Sequence, residues 1–241
     1  VLIASVTTPT FTFQGLLPNT SYNLQVTAAN GVLESANSTA TAIVTLAVAQ
    51  VAAVLPNGQI YISSVQVAIN DPSANPGTTV YEAQSSTDSF ATITSTAQRI
   101  GSGVDFVFGD LLANTTHFFR IRSVNSAGVP TDYTAIVSTA TLLARLSTAA
   151  FSGVTGTGLT ANWNSGDNGP ATLYKALLST DSFATVNSSS LTFNTSVAYT
   201  GLVVGQNYDF KVLAFGVYGD TGPYTAVVSG ATSGPALTAV S

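Results

Sequence analysis

Seven consecutive residues, Ser86-Thr87-Asp88-Ser89-Phe90-Ala91-Thr92, return unchanged as Ser179-Thr180-Asp181-Ser182-Phe183-Ala184-Thr185, 93 positions further on. A chain that repeats at this distance folds as copies of one unit, each with its own core, and a period near 93 residues is the size of one small sandwich domain. Each copy of the heptapeptide follows a strand-like segment opened by a tyrosine, Tyr81 or Tyr174.

A second element occurs three times: Phe11 to Tyr22, Phe106 to His117 and Val197 to Tyr208. Each has alternating apolar residues, a turn, and then a second alternating run. That run carries Leu24, Val26 and Ala28 in the first copy, Phe119, Ile121 and Ser123 in the second, and Phe210, Val212 and Ala214 in the third. A period of two residues places one strand face in a core. Few residues are charged (7%), and a Thr-, Val-, Ile-, Ala- and Gly-rich chain without long charged side chains favours strands over helices. The expected class is all-β.

These residues carry a resemblance. Gly15-Leu16-Leu17-Pro18-Asn19-Thr20-Ser21-Tyr22, followed by Val26, Ala28 and Asn30, resembles the corner between strands E and F of fibronectin type III domains, as does Leu111 to Asn125 with its Asn125-Ser126-Ala127-Gly128 turn. The resemblance implies tandem fibronectin type III-like, that is immunoglobulin-like, β-sandwiches. It also implies that the corner tyrosines, Tyr22 and Tyr208, hydrogen-bond back to the backbone. The middle copy departs from the pattern, with His117 at the corner. Trp163 resembles the tryptophan that the family carries in the core on strand B, and Ile69 takes that place in the middle copy. The register gives residues 1–47 as the last strands of one sandwich, 48–143 and 144–234 as complete ones, and 235–241 as the opening of a further repeat or a linker. With no methionine and with Val1-Leu2-Ile3 at its start, the chain reads as part of a longer array.

Chemistry is sparse. The single histidine, His117, lies at a repeated structural corner, and a Ser-His-Asp site needs a nucleophile and an orienting acid around it. One histidine without any cysteine does not make the usual zinc ligand set. The acids Asp71, Asp88, Asp167, Asp181 and Asp220 fall in turns, where Asp bonds the nearby backbone, rather than in facing pairs. No catalytic, cofactor-binding or metal residue is expected. The six bases, Arg99, Arg120, Arg122, Arg145, Lys175 and Lys211, are too scattered to follow a phosphate backbone, so no nucleic acid partner is expected, and Arg120 with Arg122 reads as a solvated face. Ile43 to Leu55 is too short and too interrupted to span a membrane and reads as two strands at a junction.

The functional expectation is a non-enzymatic structural or adhesive segment of a long extracellular or cell-surface fibre, stalk or sheath, of bacterial type. Copies of itself are its expected partners, with surface glycans or proteins as further ones. The argument is that 7% charge leaves little to keep sheets apart, and that Phe106-Val107-Phe108 and Ala226-Val227-Val228 present apolar residues on both faces. The alternative is a carbohydrate-binding or spacer module of a secreted hydrolase, for which Tyr61, Tyr133, Tyr218 and Tyr224 are the candidate aromatic platforms. Five Asn-x-Ser/Thr sequons begin at Asn19, Asn37, Asn114, Asn187 and Asn194.

Overall fold

The computed structural model describes residues 4–56, 58–69, 75–101, 103 and 105–234; Asp71 and the expected opening of a further repeat at 235–241 lie outside them. The assigned elements among the described residues are all strands. In chain order they are β1 (Ser21–Leu24), β2 (Thr41–Val44), β3 (Ala53–Val54), β4 (Val65–Ile69), β5 (Val80–Ser86), β6 (Ser95–Ile100), β7 (Phe106–Phe108) and β8 (Thr116–Val124), followed by β9 (Val137–Ala140), β10 (Ser147–Ser152), β11 (Gly158–Asn164), β12 (Leu173–Ser179), β13 (Ser188–Thr192), β14 (Ser196–Thr200), β15 (Asn207–Phe215) and β16 (Val228–Ala231).

The sheets repeat one plan. In the last copy β10-β11-β14 form one sheet and β13-β12-β15-β16 the other. The middle copy has β3-β4-β7 and β6-β5-β8-β9 in the same order, seven strands earlier. The antiparallel pair β1-β2 stands where β8-β9 and β15-β16 stand in the other copies. Three strands on one sheet and four on the other, with the chain crossing between them, make a fibronectin type III-like sandwich, present in tandem. Ile43 to Leu55 contains the end of β2 and all of β3.

The chain divides into two compact units. The first is Val1–Pro56, Val67–Phe106 and Phe118–Val137; the second is Asn57–Gln66, Val107–His117 and Ser138–Ser241. Each unit thus includes sequence on both sides of one of the copy boundaries expected from the sequence, near residue 48 in the first and near 143 in the second.

The second unit's core is built by alternation. Along β11 the residues Leu159, Ala161 and Trp163 are buried, and along β15 so are Tyr208, Phe210 and Val212. Tyr174, Ala176 and Leu178 of β12 complete the same cluster. Trp163 is 4% exposed; its ring stacks on Phe210 at 5.9 Å and meets Tyr174 edge-on at 5.5 Å. Such pairs add about 0.5–1.5 kcal/mol to the area they bury. In the middle copy Val65 and Val67 of β4 are fully buried and Ile69 is half-buried. On β7, Phe106 and Phe108 are buried while Val107 is exposed, so that strand is apolar on both faces. Ala226 and Val227 precede β16, and only Val228 lies in the strand, so the expected strand there begins later. The bonds Thr225 N–H to the Val212 carbonyl and Val212 N–H to Thr225 Oγ1 engage the chain just before this point, ahead of the β15-β16 ladder.

Candidate functional site

The repeated heptapeptide is a turn that builds itself. Ser86 Oγ accepts the amide hydrogens of Asp88 (3.1 Å) and Phe90 (2.9 Å) and donates to Asp88 Oδ1 (2.7 Å). The Asp88 carboxylate in turn accepts from the Thr92 amide (2.9 Å) and the Thr92 hydroxyl (2.7 Å), which hold its pKa down at about 2. Ser179, Asp181, Phe183 and Thr185 repeat every one of these bonds in the second unit. The bonds force two successive left-handed residues, Ser89 and Phe90 at φ 57° and 69°, and Ser182 and Phe183 at 54° and 67°. A bulky residue in that region costs on the order of 1–3 kcal/mol, so the surrounding bonds must over-determine it.

The strain aims a ring. Phe90 lies over the Arg120 guanidinium at 4.1 Å, and Tyr133 lies over the same guanidinium at 4.1 Å. In the second unit Phe183 and Tyr224 hold the Lys211 ammonium in the same way, at 4.0 and 4.6 Å. A cation between two aromatic faces is therefore part of the repeat, positioned by the heptapeptide, by β8 or β15, and by the segment after it. Arg120 and Arg122 read in the sequence as a solvated face, and Tyr133 and Tyr224 as candidate platforms only for the alternative function; the structure engages all four. The spacing contained the signal, because Phe90, Arg120 and Tyr133 recur as Phe183, Lys211 and Tyr224 at nearly constant offset.

Around Arg120 the first unit adds a polar network. Arg120 donates through Nε and Nη2 to Gln84 Oε1 at 3.0 and 2.7 Å. Arg122 pairs with Glu82 at 2.7 Å, Tyr133 Oη donates to Glu82 at 2.6 Å, and Gln98 Nε2 donates to it at 2.9 Å. Burial pushes the Glu82 pKa up, but its bonds to Tyr133 and Gln98 and the charge of Arg122 outweigh this and leave it lowered. Tyr133 is pushed up to about 12 by burial and by the carboxylate it serves. A shallow groove of about 420 Å³ beside this network is lined by Val80, Glu82, Gln98, Arg122, Val124, Asn125, Ser126, Gly128 and Pro130. Its one carboxylate is already committed to three donors. The groove offers hydrogen bonding and shape, without the facing carboxylate pair of a glycosidase.

The other expected residues sit as follows. Tyr22 Oη accepts the Leu17 amide at 2.9 Å, and Tyr208 Oη accepts the Val203 amide at 3.0 Å, each reaching back five residues. His117, 2% exposed, reaches back by the same distance to the backbone of Leu112. Burial lowers its imidazole pKa, and that backbone bond opposes the shift. The histidine therefore reaches the same corner position with the polarity reversed: a bond that raises an imidazole pKa is one the ring donates to a carbonyl, whereas Tyr22 and Tyr208 accept an amide hydrogen. Of the remaining tyrosines, Tyr218 is mostly exposed and its Oη accepts the Ala140 amide at 3.0 Å, and Tyr61 donates to Gln59 at 3.1 Å. Among the described residues no group of three His, Cys, Asp or Glu side chains converges as a metal site.

No family profile matches the sequence, and no curated protein matches it significantly. Among solved structures the chain is similar to a two fibronectin type-III domain segment from chicken tenascin, at 13% identity and TM-score 0.45, over 77% of this chain and 99% of that one. It is also similar to the FN1–FN3 domains of chicken CNTN1, at 13% identity and TM-score 0.32, over 90% of this chain and 77% of that one. The fold itself is established by the strand order and register described above and by the corner bonds of Tyr22 and Tyr208.

Proposed function

We propose that the chain is a non-enzymatic structural and adhesive segment of an extracellular or cell-surface fibre, stalk or sheath, and that its sandwiches associate side by side with copies of themselves. Its copies run 1–47, 48–143 and 144–234. The observation that carries this reading is the partition of charge between sheets. Five of the six bases lie on β6, β8, β12 and β15, whereas β3, β4, β7, β10, β11 and β14 carry no charged residue at all. On the sheet β10-β11-β14 the buried residues Leu159, Ala161 and Trp163 alternate with Thr160 and Asn162. Ser196, Ala198 and Thr200 lie exposed on the adjoining edge strand β14. Soluble monomers protect such edges with charge, proline or bulges, and an uncharged strand with free backbone groups pairs readily with another chain.

The functional roles of Trp163, Tyr22, Tyr208 and His117 are structural in this reading, and no cofactor or metal is required. The rings of Tyr133 and Tyr224 are occupied by cations, which counts against their use as sugar platforms. Sedimentation of the full chain at rising concentration tests the proposal. Association that is abolished by Ala198→Lys, with circular dichroism unchanged, is the expected result. A wild-type chain that stays monomeric at millimolar concentration, or a lysine variant that associates equally, would overturn it.

A further inference from the structure

Two asparagines occupy the same place in two corners and do the same unusual thing. Asn19 and Asn114 are 7% and 6% exposed and adopt left-handed backbone conformations, φ 43° and 49°. Their backbone amides donate to Leu46 and Leu142 respectively. Their side chains leave their own corner and enter the next stretch of sequence. In the first unit Asn19 Nδ2 donates to Thr79 Oγ1 at 2.9 Å, and Asn19 Oδ1 accepts the Ser126 amide at 2.6 Å. In the second unit Asn114 Nδ2 donates to Thr172 Oγ1 and to the Phe215 carbonyl, both at 3.0 Å, and Oδ1 accepts the Val217 amide at 2.8 Å.

Thr79 and Thr172 each stand immediately before β5 and β12, and Ser126 and Val217 each open the turn after β8 and β15. The partners are thus equivalent as well as the asparagines. A second amide secures the connecting chain beside each clamp. Asn75 accepts from the Val48 N–H and donates to its carbonyl, and Asn168 does the same with Ala144. A buried amide with both ends satisfied resists removal, because any loosening strands polar atoms away from water.

We propose that this Asn–Thr–amide clamp is a directional coupling device: the corner of one copy is an interaction surface whose partner is the head of the copy that follows, recognised by a threonine before β5 or β12 and by a backbone N–H in the turn after β8 or β15. The third corner shows what its absence looks like. Gly205 stands at the equivalent position, at φ 68°, keeping the left-handed backbone without the amide. The clamp also withdraws two of the five sequons, since a glycan on Asn19 or Asn114 would replace a buried donor hydrogen. The coupling does not depend on whether the copies associate laterally.

Glycine is the informative substitution, because the left-handed backbone accepts it without strain. In the full chain, hydrogen exchange of Asn114→Gly should show the Val217 amide exchanging about tenfold faster, the loss of roughly one hydrogen bond, with Val212 in the core still protected. Unfolding read at Trp163 by fluorescence and at Ile121 by exchange should coincide in the wild type and separate in the variant. Unchanged Val217 exchange, or faster exchange with the two transitions still coincident, would overturn the coupling. If Val212 also loses protection, Thr79→Val decides instead, since it alters neither the left-handed residue nor the amide proton being read. Several-fold faster exchange at Ser126 supports the clamp, and unchanged exchange there refutes it.

Discussion

The middle and last copies share their strand order but fill it differently. Where the last copy has Trp163, Tyr199 and Tyr208, the middle one has Ile69, Phe108 and His117; where the last has Ala214, the middle has the fully buried Ser123, which accepts from Gln50 Nε2 at 3.3 Å. The heptapeptide turn, in contrast, repeats its internal side-chain hydrogen bonds one for one. Core positions ask for apolar volume and tolerate exchange as long as the total fits. The turn asks for a hydroxyl, a carboxylate and a left-handed pair at fixed offsets, and no other residue types supply those bonds.

The largest effect expected from this contrast is at Trp163, whose volume has no duplicate in its copy. Trp163→Ala should destabilise the last copy by about 3–5 kcal/mol, seen as an early loss of exchange protection at Phe210 and Val212 in urea. In an Asn114→Gly background, where the clamp no longer joins the copies, the residues of β5 should unfold where they do without the Trp163 substitution. Equal loss in both copies would mean that the two cores are not independent.

A pH effect should set the middle copy apart. His117 is held neutral by burial, with its folded pKa below the usual 6.5. The unfolded chain then binds the proton more readily, so stability is complete above about pH 6.5 and declines as the pH falls through that value toward the folded pKa. One group contributes a slope of at most about 1.4 kcal/mol per pH unit. Glu82, Asp88 and Asp181 are lowered from the ordinary carboxylate values of 4.5 and 3.8 and lose their contribution only at more acid pH, so the window from 6.5 to 5 isolates the histidine. Urea midpoints across that window should fall in the wild type and stay level in His117→Phe.

Tyr208→Phe removes the acceptor for the Val203 amide and should cost about 1 kcal/mol. Tyr22→Phe should cost less, because its corner is exposed and water replaces the hydroxyl; matching midpoint shifts for the two would contradict this. Smallest of all are the aromatic–cation contacts. Phe90→Leu and Phe183→Leu should each cost about 0.5–1 kcal/mol, with Phe90 the larger if the Gln84 and Glu82 network stiffens Arg120, as a double-mutant cycle with the cation would measure.

Much of the fold was legible because repetition multiplies weak signals. The alternation at Phe119 and Ile121 and at Phe210 and Val212, the turn chemistry of Asp88 and Asp181, and the five-residue spacing at the corners are local patterns with local causes. The first copy marks the limit of that reading. Val26 sits in the same alternating register as Ile121 and Val212, which are fully buried, yet it is 73% exposed. Alternation says which face a strand offers to a core and not what covers it.

The amino-acid sequence by itself determined the all-β class, the period, the self-bonded turns and the absence of a cysteine or histidine cluster, since each depends on residue type and short spacing. Only the tertiary structure decided that Asn19 and Asn114 are buried clamps rather than surface sequons, that Tyr133 and Tyr224 close over cations, and that charge is excluded from one sheet of each sandwich and gathered on the other. Those properties join residues from 13 to 107 positions apart. A side chain's hydrogen-bonding capacity is written in its chemistry, but its partner is chosen only when the fold brings polar atoms from distant parts of the chain to within 3.0 Å of one another.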